Sequence, residues 1–189
     1  MKVQIDKTYP MPCSAEVAWE FLQNLEAVAS CMPGAKITER LDGGGFKGTV
    51  TVKAGPATMS FRGEVAVKDV DPAARTLRLL GKGTDSTGSS GASLDLTARI
   101  EAAEGGLCAL AGASEVSMSG KAAAFGGRMM NTVADTVLKQ FAENFAAQVG
   151  ALQAQRPAPA AATGQLNGLA LVWTIFKDWL RGLFSKKAA

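Results

Sequence analysis

A chain of 189 residues without a single histidine cannot build Ser-His-Asp or Cys-His nucleophilic sites, nor the histidine-bearing metal sites of hydrolases and oxygenases. Its 20 lysines and arginines oppose 17 acids, for a net charge of +3. Residues 166–189 hold four of those bases and one acid, so residues 1–165 are neutral and offer no footprint for nucleic acid.

Three widely spaced cysteines, Cys13, Cys31 and Cys108, argue against both a disulfide framework and a zinc site. The opening residues lack the apolar core of a signal peptide, which fits a reducing cytoplasm. No GxGxxG or GxxxxGK[ST] motif opens a helix. With one tyrosine and no histidine, the composition leans toward a binding module rather than an enzyme.

Residues 2–9 alternate through Val3, Ile5, Lys7 and Tyr9, predicting a strand stopped by Pro10 and Pro12. Ser14 is a good cap for a helix over 15–24, with Val17, Ala18, Phe21, Leu22 and Leu25 at helical spacing. A second short helix over 26–31 runs into the turn Met32-Pro33-Gly34. Six strand-like runs follow, at 36–42, 45–54, 57–69, 74–83, 90–103 and 106–117. Turn signals such as Asp42-Gly-Gly-Gly45, Gly55-Pro56 and Asp71-Pro72 separate them, as in an antiparallel meander. A long helix over 121–150 closes the body, with Met129, Met130, Val133, Val137, Phe141 and Phe145 in helical period. Arg128, Asn131, Asp135, Lys139 and Glu143 are left for solvent. The expected fold is α+β, a curved antiparallel sheet of about seven strands around a long C-terminal helix. Such a sheet tends to leave a void between its concave side and the helix.

Three parts are therefore expected: a body over 1–150, a Pro/Ala-rich flexible linker over 151–165, and an amphipathic basic segment over 166–189. In the last, Leu169, Val172, Trp173, Phe176, Trp179, Leu180 and Leu183 recur at spacings of three and four, which places them on one helical stripe. A helix over 166–184 would be about 28 Å long, near the thickness of a bilayer core. Lys177, Asp178 and Arg181 would each cost roughly 2.5–3.5 kcal/mol at its centre, which disfavours a span. An interfacial helix avoids that cost, and Lys177, Arg181, Lys186 and Lys187 then face anionic headgroups. Docking on protein is the alternative. The expected location is the cytoplasmic face of the inner membrane, with the protein held peripherally.

Several strings carry a resemblance. Val17-Ala-Trp-Glu-Phe-Leu, Ala29-Ser-Cys-Met-Pro-Gly34, Phe46-Lys-Gly-Thr-Val-Thr-Val-Lys-Ala-Gly-Pro56 and Phe61-Arg-Gly-Glu-Val resemble the CoxG family, which is associated with carbon monoxide dehydrogenase. Asp69-Val-Asp-Pro72, Gly81-Lys-Gly83 and Gly120-Lys-Ala-Ala-Ala-Phe-Gly-Gly-Arg128 do likewise. The family lies in the SRPBCC superfamily of helix-grip, START/Bet v 1-like proteins, and the resemblance covers about residues 1–148. It implies an accessory protein, without a covalent cofactor, for a molybdenum hydroxylase of the carbon monoxide dehydrogenase type. It also implies membrane attachment of that enzyme, and an isoprenoid quinone such as menaquinone, or another isoprenoid lipid, bound in the cavity. A recruitment or assembly factor with no ligand transfer is the alternative reading, and a polyketide cyclase-like enzyme a third.

Candidate cavity residues are Trp19, Met59, Phe61, Phe125, Met129, Met130, Val133 and Val137. Methionine adapts to irregular apolar ligands, and Gly126-Gly127 permits close approach or a bend. Ordinary core filling is the competing reading for each, and Trp19 above all reads as a packed anchor. Cys31-Met32-Pro33-Gly34 reads as a structural turn, and Arg128 as part of a solvated face. Glu20, Glu64 and Asp69 show no acid–base spacing.

Overall fold

The computed structural model describes residues 1–54 and 57–156, so Gly55-Pro56 and the expected linker and tail beyond Arg156 lie outside the described residues. The membrane-binding expectations at Leu169, Val172, Trp173, Phe176, Lys177, Trp179, Leu180, Arg181, Leu183, Lys186 and Lys187 fall there. In the described body, β1 (Lys2–Met11) leads into α1 (Ala15–Gln23) and α2 (Leu25–Cys31). Then come β2 (Ala35–Arg40), β3 (Phe46–Ala54), β4 (Ala57–Asp71), β5 (Thr76–Asp85), β6 (Ser90–Ala102) and β7 (Cys108–Gly120). A 3-10 turn at Lys121–Phe125 precedes α3 (Gly126–Gln155).

The seven strands form one antiparallel sheet in the order β1-β7-β6-β5-β4-β3-β2. Strands β2 to β7 are the expected meander, and β1 returns to pair with β7. This is the helix-grip arrangement, an antiparallel sheet with a long C-terminal helix.

Local chemistry fixes the helix starts. The Ser14 hydroxyl accepts from the Val17 amide at 3.4 Å, and the Asn24 side chain accepts from the Ala27 amide at 3.2 Å. Asn24 thus ends α1 and starts α2 at a single residue. Between the caps, α1 buries Ala15, Val17, Ala18, Phe21 and Leu22. Phe21 meets Phe145 of α3 edge to face, with ring centroids 4.9 Å apart. Around this pair lie Met11, Cys13, Leu77, Ile100, Cys108, Leu110 and Val149, which complete the core.

Several boundaries differ from the sequence expectation, and three of the differences have a visible cause. Strand β1 runs through Pro10 to Met11 because it is an edge strand, paired only with β7, and a missing amide costs no ladder bond there. The long helix starts at Gly126 rather than at residue 121, since Gly126 with φ +77° separates the 3-10 turn from α3. It also runs on to Gln155 instead of giving way to a linker at 151. Buried Val149 holds that last stretch against the core, and the Ser14 amide donates to Gln153 Oε1 at 3.0 Å.

The curvature of the sheet follows from a row of glycines. Gly48, Gly63 and Gly83 stand side by side on β3, β4 and β5. A Cβ on Gly63 would lie 2.0 Å from the Lys82 carbonyl oxygen, and one on Gly48 would lie 2.7 Å from that of Lys36. Only glycine lets the strands approach this closely at the bend.

Candidate functional site: an apolar cavity under the long helix

Helix α3 changes partners along its length. Its C-terminal half inserts Ala142, Phe145 and Val149 into the core. Its N-terminal half presents Met130, Val133, Ala134, Val137 and Leu138 to a cavity of about 540 Å³. The opposite wall carries Phe46, Val50 and Val52 from β3, Met59, Phe61 and Val65 from β4, and Leu79, Leu94 and Leu96 from β5 and β6. Leu25 and Val28 of α2 line it, as do Val116 and Met118 of β7. The surface is almost entirely carbon. Its volume suits a small-molecule ligand, for which sites of roughly 300–1,000 Å³ are usual.

Why the space stays open can be read from the inward-facing positions. Gly48, Gly63, Gly81, Gly83, Ala92 and Gly112 all lie on the lining. Side chains of zero or one carbon do not reach across to α3. At Gly81 and Gly112 a Cβ would meet nothing nearer than side-chain carbons at 3.4 Å and 3.8 Å. These two glycines leave room, whereas Gly48 and Gly63 permit the bend.

Of the residues anticipated from sequence, Met59, Phe61, Met130, Val133 and Val137 come together on the lining. Trp19 and Met129 do not. Trp19 is partly buried against the core cluster, one helical step of about 100° from the inward face of Val17, Ala18, Phe21 and Leu22. Met129 is rotated off the cavity by the same step from Met130. Phe125 sits in the 3-10 turn, and its side chain is outside the described residues. Arg128 is exposed, as expected of a solvated face.

Among the polar residues of the lining, sequence reasoning passed over three that share the inward phase of their strands: Lys7, Tyr9 and Ser114. A signal existed for the first, because Lys7 occupies the inward phase of an alternation otherwise formed by Val3, Ile5, Tyr9 and Met11. Its ammonium lies 2.9 Å from Asp135 Oδ1 on α3. That hydrogen bond, and then the carboxylate charge, hold the lysine pKa above its ordinary value.

A polar clasp secures the entry to α3. Asp85, at the end of β5, accepts from the Thr87 hydroxyl at 2.6 Å and the Ser90 amide at 2.7 Å. The Thr87 bond is the leading cause of its lowered pKa. Buried Ser90 in turn accepts from the Ala122 amide at 3.0 Å, so the β5–β6 loop grips the 3-10 turn.

The thiols take no part. Cys13 and Cys108 approach to 3.8 Å in the core, and burial is the main cause that pushes Cys108 up to about 12. Burial raises Cys13 and Cys31 as well. Among the described residues no group of histidine, cysteine or carboxylate side chains could hold a metal, and no helix is long and apolar enough to cross a membrane.

The sequence pattern of the carbon monoxide dehydrogenase CoxG family matches residues 10–150. No curated protein sequence matches significantly. Among solved structures, a conserved protein from Geobacillus kaustophilus superposes with a TM-score of 0.70 at 17% identity, covering 79% of this chain and 96% of that one. A START superfamily protein from Mycobacterium smegmatis gives 0.57 at 18% identity, covering 79% and 98%. The ZhuI aromatase/cyclase from Streptomyces sp. R1128 gives 0.56 at 15% identity, covering 79% and 94%. At such identities these likenesses speak for the fold alone.

Proposed function

The chain belongs to the CoxG family of carbon monoxide dehydrogenase proteins, and from that premise we propose that it is a non-catalytic accessory protein carrying a hydrophobic ligand for an enzyme of the carbon monoxide dehydrogenase type. The observation that supports this reading is the carbon-lined cavity of about 540 Å³ beneath α3. An apolar pocket of that size removes a hydrocarbon ligand from water at roughly 25 cal/mol per Å² of surface covered. A ligand so apolar resides in membranes, and the amphipathic, basic pattern of 166–187 is suited to a lipid surface. The proposed cargo is an isoprenoid quinone such as menaquinone, extracted at the cytoplasmic face and presented to a molybdenum hydroxylase as electron acceptor.

Cyclase-like chemistry has less support. The polar lining residues in the inward phase of their strands are an ion-paired lysine, a phenol and a serine, and the chain has no histidine for general acid–base work. Organic extraction of the full-length protein purified from its native cells, followed by mass spectrometry, tests the carrier reading. A quinone is expected in the extract. A protein that is consistently empty and ignores menaquinone offered in vesicles overturns it, and leaves recruitment of the partner enzyme as the function.

A further inference from the structure

Resting on the reading of the cavity as a ligand site, we propose that Lys7, flanked by the hydroxyls of Tyr9 and Ser114, holds a carbonyl oxygen of an otherwise hydrocarbon ligand. All three line the cavity, and Lys7 projects from the inward phase of β1. The strand register sets Gly112 directly opposite Lys7 and Ser114 opposite Ile5. Diagonal neighbours in an antiparallel pair are about 7–8 Å apart, within reach of a long side chain. Gly112 presents no side chain of its own opposite Lys7.

The bonding capacity of the group points the same way. An ammonium has three N–H donors, and Asp135 is the single acceptor it meets among the described residues. The Tyr9 and Ser114 hydroxyls likewise have no side-chain partner among the described residues. Lys7 and Asp135 are 42% and 57% exposed, so this is a rim of the cavity that water reaches, where an acceptor on the ligand replaces water at the surplus donors. Asp135 already neutralises the lysine, so the patch has no net charge with which to favour a carboxylate. A neutral ring carbonyl fits it best, and the ligand's hydrocarbon portion is left to the apolar walls.

Menadione and 2-methylnaphthalene share one bicyclic frame and differ in two carbonyl oxygens, so titration calorimetry of both against the full chain isolates the patch. Lys7→Met is expected to weaken menadione about ten-fold while leaving the hydrocarbon unchanged, the scale of a hydrogen bond to a charged donor. Asp135→Asn breaks the same strand–helix ion pair yet keeps the ammonium, and should leave menadione binding intact. If Lys7→Met weakens both compounds equally, or Asp135→Asn reproduces the selective loss, the ion pair is structural and the proposal falls while the cavity reading stands. Binding of neither compound by the unaltered chain overturns both. Should Lys7→Met fail to fold, the double variant Tyr9→Phe, Ser114→Ala takes its place; a loss of several-fold confined to menadione supports the patch, and no selective loss overturns it.

Discussion

Between Ala142 and Val149, α3 is buried in the core at Ala142, Phe145 and Val149; between Met130 and Leu138, the same helix faces the cavity. The contrast comes from what lies opposite. Under the C-terminal half stand α1 and large residues of the sheet, with Phe21 against Phe145 and with Leu77, Ile100 and Leu110 nearby. Two polar bonds reinforce that end, from Asn144 Nδ2 to the Cys31 carbonyl at 2.9 Å and from the Ser14 amide to Gln153. The N-terminal half is opposed by sheet positions rich in glycine. Cohesion and ligand capacity are thus separated along one helix: one half holds the fold together, and the other is free to leave its apolar face unsatisfied.

The largest test of that division is Phe145→Ala. Phe145 is wholly buried, and its truncation should cost about 3–5 kcal/mol, read as a large drop in thermal midpoint. A loss below about 1 kcal/mol would mean that the C-terminal half is not the solid part. A matched pair of enlargements sharpens the comparison. Ala142→Leu should cost about 1–3 kcal/mol by overpacking, since Ala142 is buried in the core. Ala134→Leu projects toward the cavity and should leave denaturant unfolding nearly unchanged while reducing ligand uptake. Similar costs at both positions would erase the distinction.

A subtler effect concerns pH. Cys108, in the solid half, is pushed up to about 12, whereas an unfolded thiol titrates near roughly 8.5. Between those values the unfolded chain has lost a proton that the native one keeps, so stability should fall as pH rises above about 8.5. Cys108→Ala should flatten that slope. Alkylation of the native protein at neutral pH should also be slow, and limited by global unfolding.

Much of the fold was legible because its signals are local and repeated. Alternation, glycine and proline turns and one long helical period specify the meander and α3 without reference to tertiary contacts. Pro10 misled because its tolerance depends on lying at a sheet edge, a fact of pairing rather than of the residue. The site was legible where periodicity marks a face, as for Met59 with Phe61, or for Met130, Val133 and Val137. Helical phase turns Trp19 and Met129 off the cavity, and Trp19 packs against the core as its competing reading had it. Lys7 was visible as a charge in an apolar phase, but its meaning needed Asp135, 128 positions along the chain, to be brought beside it.

Gly81 and Gly112 have one more use. A Cβ at either position would meet only ordinary contact distances, so volume can be added there in steps: alanine, then valine, then leucine. Each step shortens the hollow from a known wall without disturbing the bend at Gly48 and Gly63. A series of prenyl chains graded by length, tried against that ladder, turns the protein into a calliper. The longest chain still accepted at each rung measures how deep the cargo sits, and from which side it enters.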